Sequence, residues 1–153
     1  MPDQDLVALA RSLEPLVEVK PAASEVEIAE IEMALGVRLP TGLRAFLSQS
    51  NGASIGVKLD SGELISNASS LVWSLDKILA ENRTVSVADS GRTRVLYFAD
   101  AGADGILFGH PVGSSGVVRD EVVVWHPIED RLSNLAPSFR DFLEGWLTGS
   151  VWV

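Results

Sequence analysis

Two histidines are the first residues to consider for catalysis or metal binding, because imidazole can act as a general base or as a metal ligand. The chain contains only His110 and His126. His110 precedes Pro111 in a glycine-rich segment, which predicts a loop, and His126 follows the β-like run 121–125. The spacing suggests no third metal ligand of the kind that a zinc site requires. We therefore expect a structural or surface role for each histidine and no metal site.

One serine lies in a pattern that is typical of hydrolases. Residues 52–56 read Gly-Ala-Ser-Ile-Gly and match Gly-x-Ser-x-Gly, the nucleophile elbow. That elbow needs a strand before the serine and a helix after it, so that the hydroxyl is exposed at a sharp turn. Here the predicted order is reversed, which favours a loop that restarts the chain after a helix. A serine hydrolase that uses Ser54 is kept as an alternative, and no catalytic residue is predicted.

An acidic loop resembles part of a calcium site. Residues 100–105 read Asp-Ala-Gly-Ala-Asp-Gly. The segment lacks the middle acidic ligand of a calcium loop, and no glutamate follows at the position of the bidentate ligand. We therefore predict a turn between two strands, and we predict no cofactor.

Acidic residues between the predicted elements are the remaining candidates for a binding surface. The net charge of −9 disfavours contact with nucleic acid, whose phosphates are bound chiefly by lysine and arginine. The same charge attracts a basic protein, although it also serves solubility alone. Because loops carry a disproportionate share of binding residues, we expect some members of one acidic pool to contact a partner. The pool is Asp60, Glu63, Asp100, Asp104, Asp120, Glu121, Glu129 and Asp130.

Apolar periodicity places helices on both sides of a strand-rich middle. The second helix has the clearest signals, since Ser24 and Glu27 form a capping box and Gly36 ends it. The predicted helices cover about residues 3–13, 24–35, 40–50 and 75–82, with a last one from 138 through at least 146. The predicted strands cover 55–59, 93–99, 105–108 and 121–125. This order favours an α+β fold with one domain over residues 1–153.

Composition narrows the chemistry and the location. The chain has no cysteine, which excludes a disulfide framework, a thiol nucleophile and cysteine-ligated metals. Acidic residues near the start and the lack of a long apolar run predict a cytoplasmic protein that is not membrane-bound. Of the four tryptophans, Trp73, Trp125 and Trp146 are expected in the core. Trp152 is expected either on the core or as an exposed apolar anchor.

Three segments carry a resemblance to a known family. Residues 25–52 pair an acidic helix with a Gly-x-x-Leu-Pro link, a second helix and a closing Asn-Gly. Residues 122–127 read Val-Val-Val-Trp-His-Pro, and residues 135–147 contain Ser-Phe-x-x-Phe-Leu. In this order the segments resemble the SUKH superfamily, whose founding members include a fungal cell-wall-assembly regulator.

The resemblance implies a mixed, mostly antiparallel sheet packed by about four to five helices, and no catalytic activity. Bacterial members of the family are commonly immunity proteins that bind and block a toxin, often a nuclease. Some eukaryotic relatives are regulatory interaction modules instead, and this alternative stays open. We expect a protein partner, most simply a basic toxin domain bound one-to-one, and a chain that is a monomer or a weak dimer.

Overall fold

The computed structural model describes residues 5–88, 94–102, 104–113 and 115–151. Five helices and seven strands lie within these ranges. In chain order they are α1 (Leu6–Leu13), β1 (Val17–Val19), α2 (Glu25–Leu35), α3 (Thr41–Leu47), β2 (Ala53–Lys58), β3 (Leu64–Val72), α4 (Leu75–Ala88), β4 (Val95–Asp100), β5 (Leu107–Pro111), β6 (Val122–His126), β7 (Arg131–Ala136) and α5 (Phe139–Thr148). The predicted α+β class is confirmed.

The strands form two antiparallel sheets. One has three strands in the order β1-β2-β3, and the other has four in the order β4-β5-β6-β7. The backbone N–H of Trp73, just after β3, donates to the carbonyl of Phe98 in β4 at 2.8 Å and so connects the two sheets. The chain therefore carries two separate sets of hairpin loops, one on each sheet.

The capping signals of α2 are confirmed. The Ser24 hydroxyl accepts from the backbone N–H of Glu27 at 3.1 Å, and the Glu27 carboxylate accepts from the N–H of Ser24 at 2.9 Å. Gly36 ends the helix in the left-handed region at φ 66°. The N-terminal cap by Ser24 is worth about 1 kcal/mol. These local bonds explain why this helix was the easiest to place from sequence.

An aromatic cluster joins α5 to the four-stranded sheet. The Phe98 ring lies 5.4 Å from the rings of Phe139 and of Phe142, both at edge-to-face angles. Trp146, one turn further along, contacts Phe108 at 5.0 Å. Edge-to-face pairs are worth about 0.5–1.5 kcal/mol each beyond the area that they bury. The apolar face of α5, predicted from the sequence, therefore packs against the four-stranded sheet.

The tryptophans follow the prediction where they are described. Trp73 is buried, and Trp125 and Trp146 are partly buried against the core. Trp152 lies outside the described residues. The assignment of residues 1–153 to one domain stays a prediction. None of the helices in the described ranges is both long and apolar enough to cross a bilayer.

The prediction of a loop around His110 is wrong. His110 lies in β5 and is fully buried. The neighbouring Gly109 is a packing residue, because a Cβ there would lie 2.6 Å from the carbonyl oxygen of Leu96 in β4. Glycine commonly indicates a loop, whereas here it permits a close approach of two strands.

Candidate functional site

The eight candidate acids lie at three places, and the structure does not bring them into one surface. Asp60 and Glu63 lie at the tip of the β2–β3 hairpin. Asp120 and Glu121 precede β6. The other four lie in or beside the β4–β5 and β6–β7 connections and are Asp100, Asp104, Glu129 and Asp130.

Strand order places these last two connections at the same end of the four-stranded sheet. Strands β4 to β7 are consecutive and antiparallel, so the β4–β5 and β6–β7 turns both leave one end, and the β5–β6 connection leaves the other. A Cβ on Gly105 would lie 3.3 Å from Cγ of Pro127, so the two turns touch. We call this surface, formed by residues 100–102, 104–106 and 127–131, the acidic end.

Turn geometry sets the backbone at two of these acids. Asp104 has φ 57° and Asp130 has φ 51°, in the left-handed region that aspartate tolerates better than most residues. The N–H of Asp130 donates to the carbonyl of Pro127 at 3.3 Å, which closes the β6–β7 turn. Both aspartates are exposed. The backbone thus fixes the positions from which two carboxylates meet solvent.

Asp100 has a structural role at the base of the acidic end. Its Oδ2 accepts from Nε1 of Trp73 at 2.7 Å, and its Oδ1 accepts from the N–H of Gly102 at 2.9 Å. The first bond provides an acceptor for the indole N–H of the buried Trp73, and the second stabilises the turn. Both carboxylate oxygens are therefore engaged within the chain, which removes Asp100 from the residues best placed to contact a partner.

An apolar residue that the sequence reasoning missed lies among these acids. Ile128 is 75% exposed in the β6–β7 turn, directly before Glu129 and Asp130. A large aliphatic side chain inside a hairpin turn is the signal that could have identified it, since turns are normally polar. Apolar anchors that are ringed by polar groups are typical of interaction hot spots.

Several nitrogen-bearing side chains lie close to the carboxylates. The acidic end has four carboxylates against one arginine, Arg131, a formal charge of −3. Nδ1 of His126 lies 3.9 Å from Oε2 of Glu129. The Lys77 ammonium lies 5.3 Å from the centre of the Trp73 ring, close to the base of this surface. The net field at the acidic end is nonetheless negative, which suits a cationic partner.

The remaining candidates differ in their surroundings. Glu121 pairs with Arg119 at 2.5 Å, which neutralises it. Asp120 is exposed at the end of the sheet opposite to the acidic end. Asp60 and Glu63 are exposed at a hairpin tip beside several exposed apolar residues.

His110 is a core residue. Its Nδ1 lies 2.9 Å from the carbonyl oxygen of Glu121, so Nδ1 carries the proton and donates it. Its ring stacks on Phe98 at 5.0 Å, and its Nε2 is buried without a hydrogen-bond partner. Burial lowers the pKa of His110 from 6.5 to about 4, because the charged ring would lose its hydration. The neutral ring packs the sheet that carries the acidic end.

The described residues offer little for nucleophilic or metal chemistry. Ser54 is buried in β2, and its hydroxyl donates to Oδ1 of Asn67. A strand follows Ser54, as predicted, so the elbow geometry is not formed. Within the ranges that the structure describes, no three His, Asp or Glu side chains are grouped so that they could hold a metal ion.

A cleft of about 570 Å³ lies between α2 and α3. Glu32 is the one carboxylate among its lining residues, and Nε of Arg44 lies 3.9 Å from it. Arg44 also pairs with Glu25 at 3.0 Å. The Ser48 hydroxyl in the lining donates to the carbonyl of Ala45. These charges are arranged as ion pairs that join two helices, without an activated nucleophile.

Comparison with known proteins gives a family for the chain. No curated protein matches it. The model of one protein family, described as the SMI1 / KNR4 family (SUKH-1), matches residues 22–145. The match runs from the connector before α2 into α5 and includes every residue of the acidic end. The chain therefore belongs to the SMI1 / KNR4 family (SUKH-1).

Proposed function

We propose that this chain is a non-catalytic protein-binding domain that neutralises a basic toxin by one-to-one binding through its acidic end. One observation carries the proposal, namely that Ile128, Glu129 and Asp130 are exposed in one turn, which touches the turn that holds the exposed Asp104. Membership of a family whose bacterial members are commonly immunity proteins supports the toxin as the partner.

The two kinds of side chain have different tasks in this proposal. The carboxylates attract a cationic surface and speed the encounter, and salt weakens that attraction. Ile128 enters an apolar recess of the partner and slows dissociation, as buried anchors do. If the toxin is a nuclease, carboxylates on its phosphate-binding surface exclude nucleic acid by charge and by bulk.

The local chemistry also supports a role without catalysis. The Ser54 hydroxyl is committed to Asn67, and His110 is enclosed by the core. His126 is mostly buried at the edge of the acidic end. Ser54, His110 and His126 are thus held by the fold, and an engaged hydroxyl is a poor nucleophile without an adjacent base.

Co-expression with the toxin encoded by an adjacent gene tests the proposal. We expect cells to survive with the wild-type chain and to die with the Ile128→Lys variant. Asp120→Lys is the matched control, because it also introduces a lysine, but at the opposite end of the sheet. Cells that carry this variant should still survive. Equal killing with and without the wild-type chain would contradict toxin neutralisation. Binding to another protein without protection would instead favour the regulatory alternative.

A further inference from the structure

The β2–β3 hairpin extends beyond the rest of its sheet. Strand β1 pairs with β2 only over Ala53–Ile55. Beyond Gly56 the sheet has two strands, in which Val57 pairs with Ile65 and Lys58 with Leu64. The N–H of Leu59 donates to the carbonyl of Glu63 at 2.8 Å and closes the ladder. We call residues 57–65 the apolar ribbon.

The ribbon is named for its exposed aliphatic side chains. Val57 is 45% exposed, Leu59 43%, Leu64 52% and Ile65 40%. Exposed aliphatic residues are ordinary when they are scattered, but contiguous ones mark interaction surfaces. Val57, Leu59 and Ile65 lie on one face of the hairpin and form such a patch, whereas Leu64, opposite Lys58, lies on the other face.

One face of the ribbon continues the core-facing side of β2. Side chains two residues apart share a face of a strand, so Ala53, Ile55 and Val57 point the same way. Ala53 is buried and Ile55 packs partly against the core, whereas Val57 meets solvent. Ile65, opposite Val57, lies on that same face. The apolar face of β2 thus continues from the core into solvent, where no other element of the described chain covers it.

Charge distinguishes the ribbon from the acidic end. Strand β3, from Leu64 to Val72, has no charged residue and lies at the edge of its sheet. The lysines that commonly protect an edge strand are therefore missing from it. Residues 53–72 contain one lysine against two carboxylates, a formal charge of −1 in a chain of −9. A cationic partner finds little attraction here, and the ribbon itself adds little to the repulsion between two copies.

The ladder is irregular, which favours side-chain packing over a long shared sheet. Pairing shifts between Ile55 and Val57, so β3 bulges around Asn67, which has φ 53°. The N–H of Asn67 is taken by Oε1 of Glu18 at 2.7 Å. Bulges of this kind twist an edge away from extended pairing. The apolar side chains of the ribbon remain available beyond the bulge.

We propose that a second copy of this chain covers the apolar ribbon. The two ribbons pack across a two-fold axis, so that Val57, Leu59 and Ile65 of each copy meet the same residues of the other. In a two-fold interface the same patch of each copy forms the two sides of the contact, so no other surface is needed. Three side chains per copy are far fewer than the roughly 20–30 residues a side of a standard interface. The dimer is therefore weak and forms at high protein concentration.

Salt gives this dimer a characteristic response. Two copies of −9 repel each other over the whole surface, while the contact itself is apolar. Added salt screens the repulsion and leaves the apolar contact, so association strengthens. Binding of a basic partner at the acidic end has the opposite dependence.

Sedimentation equilibrium of the purified chain, over a concentration series at low and at high salt, tests the proposal. We expect a monomer–dimer equilibrium that shifts toward dimer as salt rises. Ile65→Lys and Leu59→Lys should each weaken the dimer at least tenfold, because each adds a buried charge. Ile128→Lys is the matched control, since it places the same charge on another exposed aliphatic residue, and it should leave the dimer unchanged. Circular dichroism and thermal unfolding confirm that each variant is folded.

Several results would overturn the proposal. A wild-type chain that stays monomeric at every concentration and salt would do so. So would a dimer that persists in both folded ribbon variants or is lost in Ile128→Lys. Ribbon variants that weaken toxin binding while the wild type is monomeric would assign the ribbon to the partner instead. None of these results depends on neutralisation, which is measured separately in cells.

Discussion

The two hairpin systems of this chain present opposite surfaces. The acidic end belongs to the four-stranded sheet and combines carboxylates with one apolar anchor, Ile128. The apolar ribbon belongs to the three-stranded sheet and carries four exposed aliphatic residues with a formal charge of −1 over residues 53–72. The first suits a partner of unlike charge, and the second suits a copy of the same chain. In these two proposals, one fold separates recognition by charge from association by apolar contact.

The largest effect should follow from acidification, because the sheet of the acidic end encloses His110. Its pKa is lowered from 6.5 to about 4, so the unfolded chain takes up a proton first as pH falls. The free energy of unfolding therefore falls between pH 6.5 and about 4, by roughly 3 kcal/mol in total. Above pH 6.5 this group adds no pH dependence.

Urea unfolding at several pH values measures this effect. His110→Phe keeps a ring against Phe98 and removes the titrating group, so its stability should fall less over the same window. Every other group is common to both proteins, so its contribution cancels in the comparison. If the free energy of unfolding falls equally with pH in the wild type and in the variant, His110 is not the cause of the fall.

The next effect concerns the apolar anchor of the acidic end. Ile128→Lys should weaken toxin binding by about 2 kcal/mol or more, roughly 30-fold, as loss of a hot-spot residue does. Isothermal titration calorimetry with the purified toxin domain measures the affinity. Ile65→Lys on the ribbon carries the same change and should bind normally. Equal losses in both variants would erase the distinction between the two surfaces.

A smaller effect separates structural from binding carboxylates within the acidic end. Asp100→Ala leaves Nε1 of Trp73 without its partner and should cost about 1–3 kcal/mol of folding stability. Asp104→Asn removes an exposed charge from a turn, keeps a residue that tolerates φ 57°, and should change stability by less than about 1 kcal/mol. Thermal unfolding of both variants checks the contrast. Similar losses would mean that Asp100 is not the structural member.

The sequence predicted best those features that depend on local signals. The capping box of Ser24 and Glu27, the stripe of α5 and the turn after Asp100 are all set by neighbouring residues. Strand β3 was missed because its middle reads Ser-Asn-Ala-Ser-Ser, which has low β-propensity and owes its conformation to pairing with β2. Strands β1 and β7 were missed as well.

The candidate site was predicted only in part, because it depends on which turns meet in space. The eight acids were identified as one pool, but strand order divides them among three places. The structural role of Asp100 depends on Trp73, which is distant in the chain. Ile128 carries no motif, and its significance comes only from its exposure among acids.

The most direct test of the central claim is the salt dependence of toxin binding by a charge-neutral acidic end. A variant with Asp104→Asn, Glu129→Gln and Asp130→Asn keeps the shapes of the side chains and removes their charges. Association rates of the wild type and the variant are measured against the toxin at increasing ionic strength. We expect the variant to bind about tenfold more slowly at low salt and to lose most of its salt dependence. Equal rates and equal salt slopes for the two proteins would contradict it.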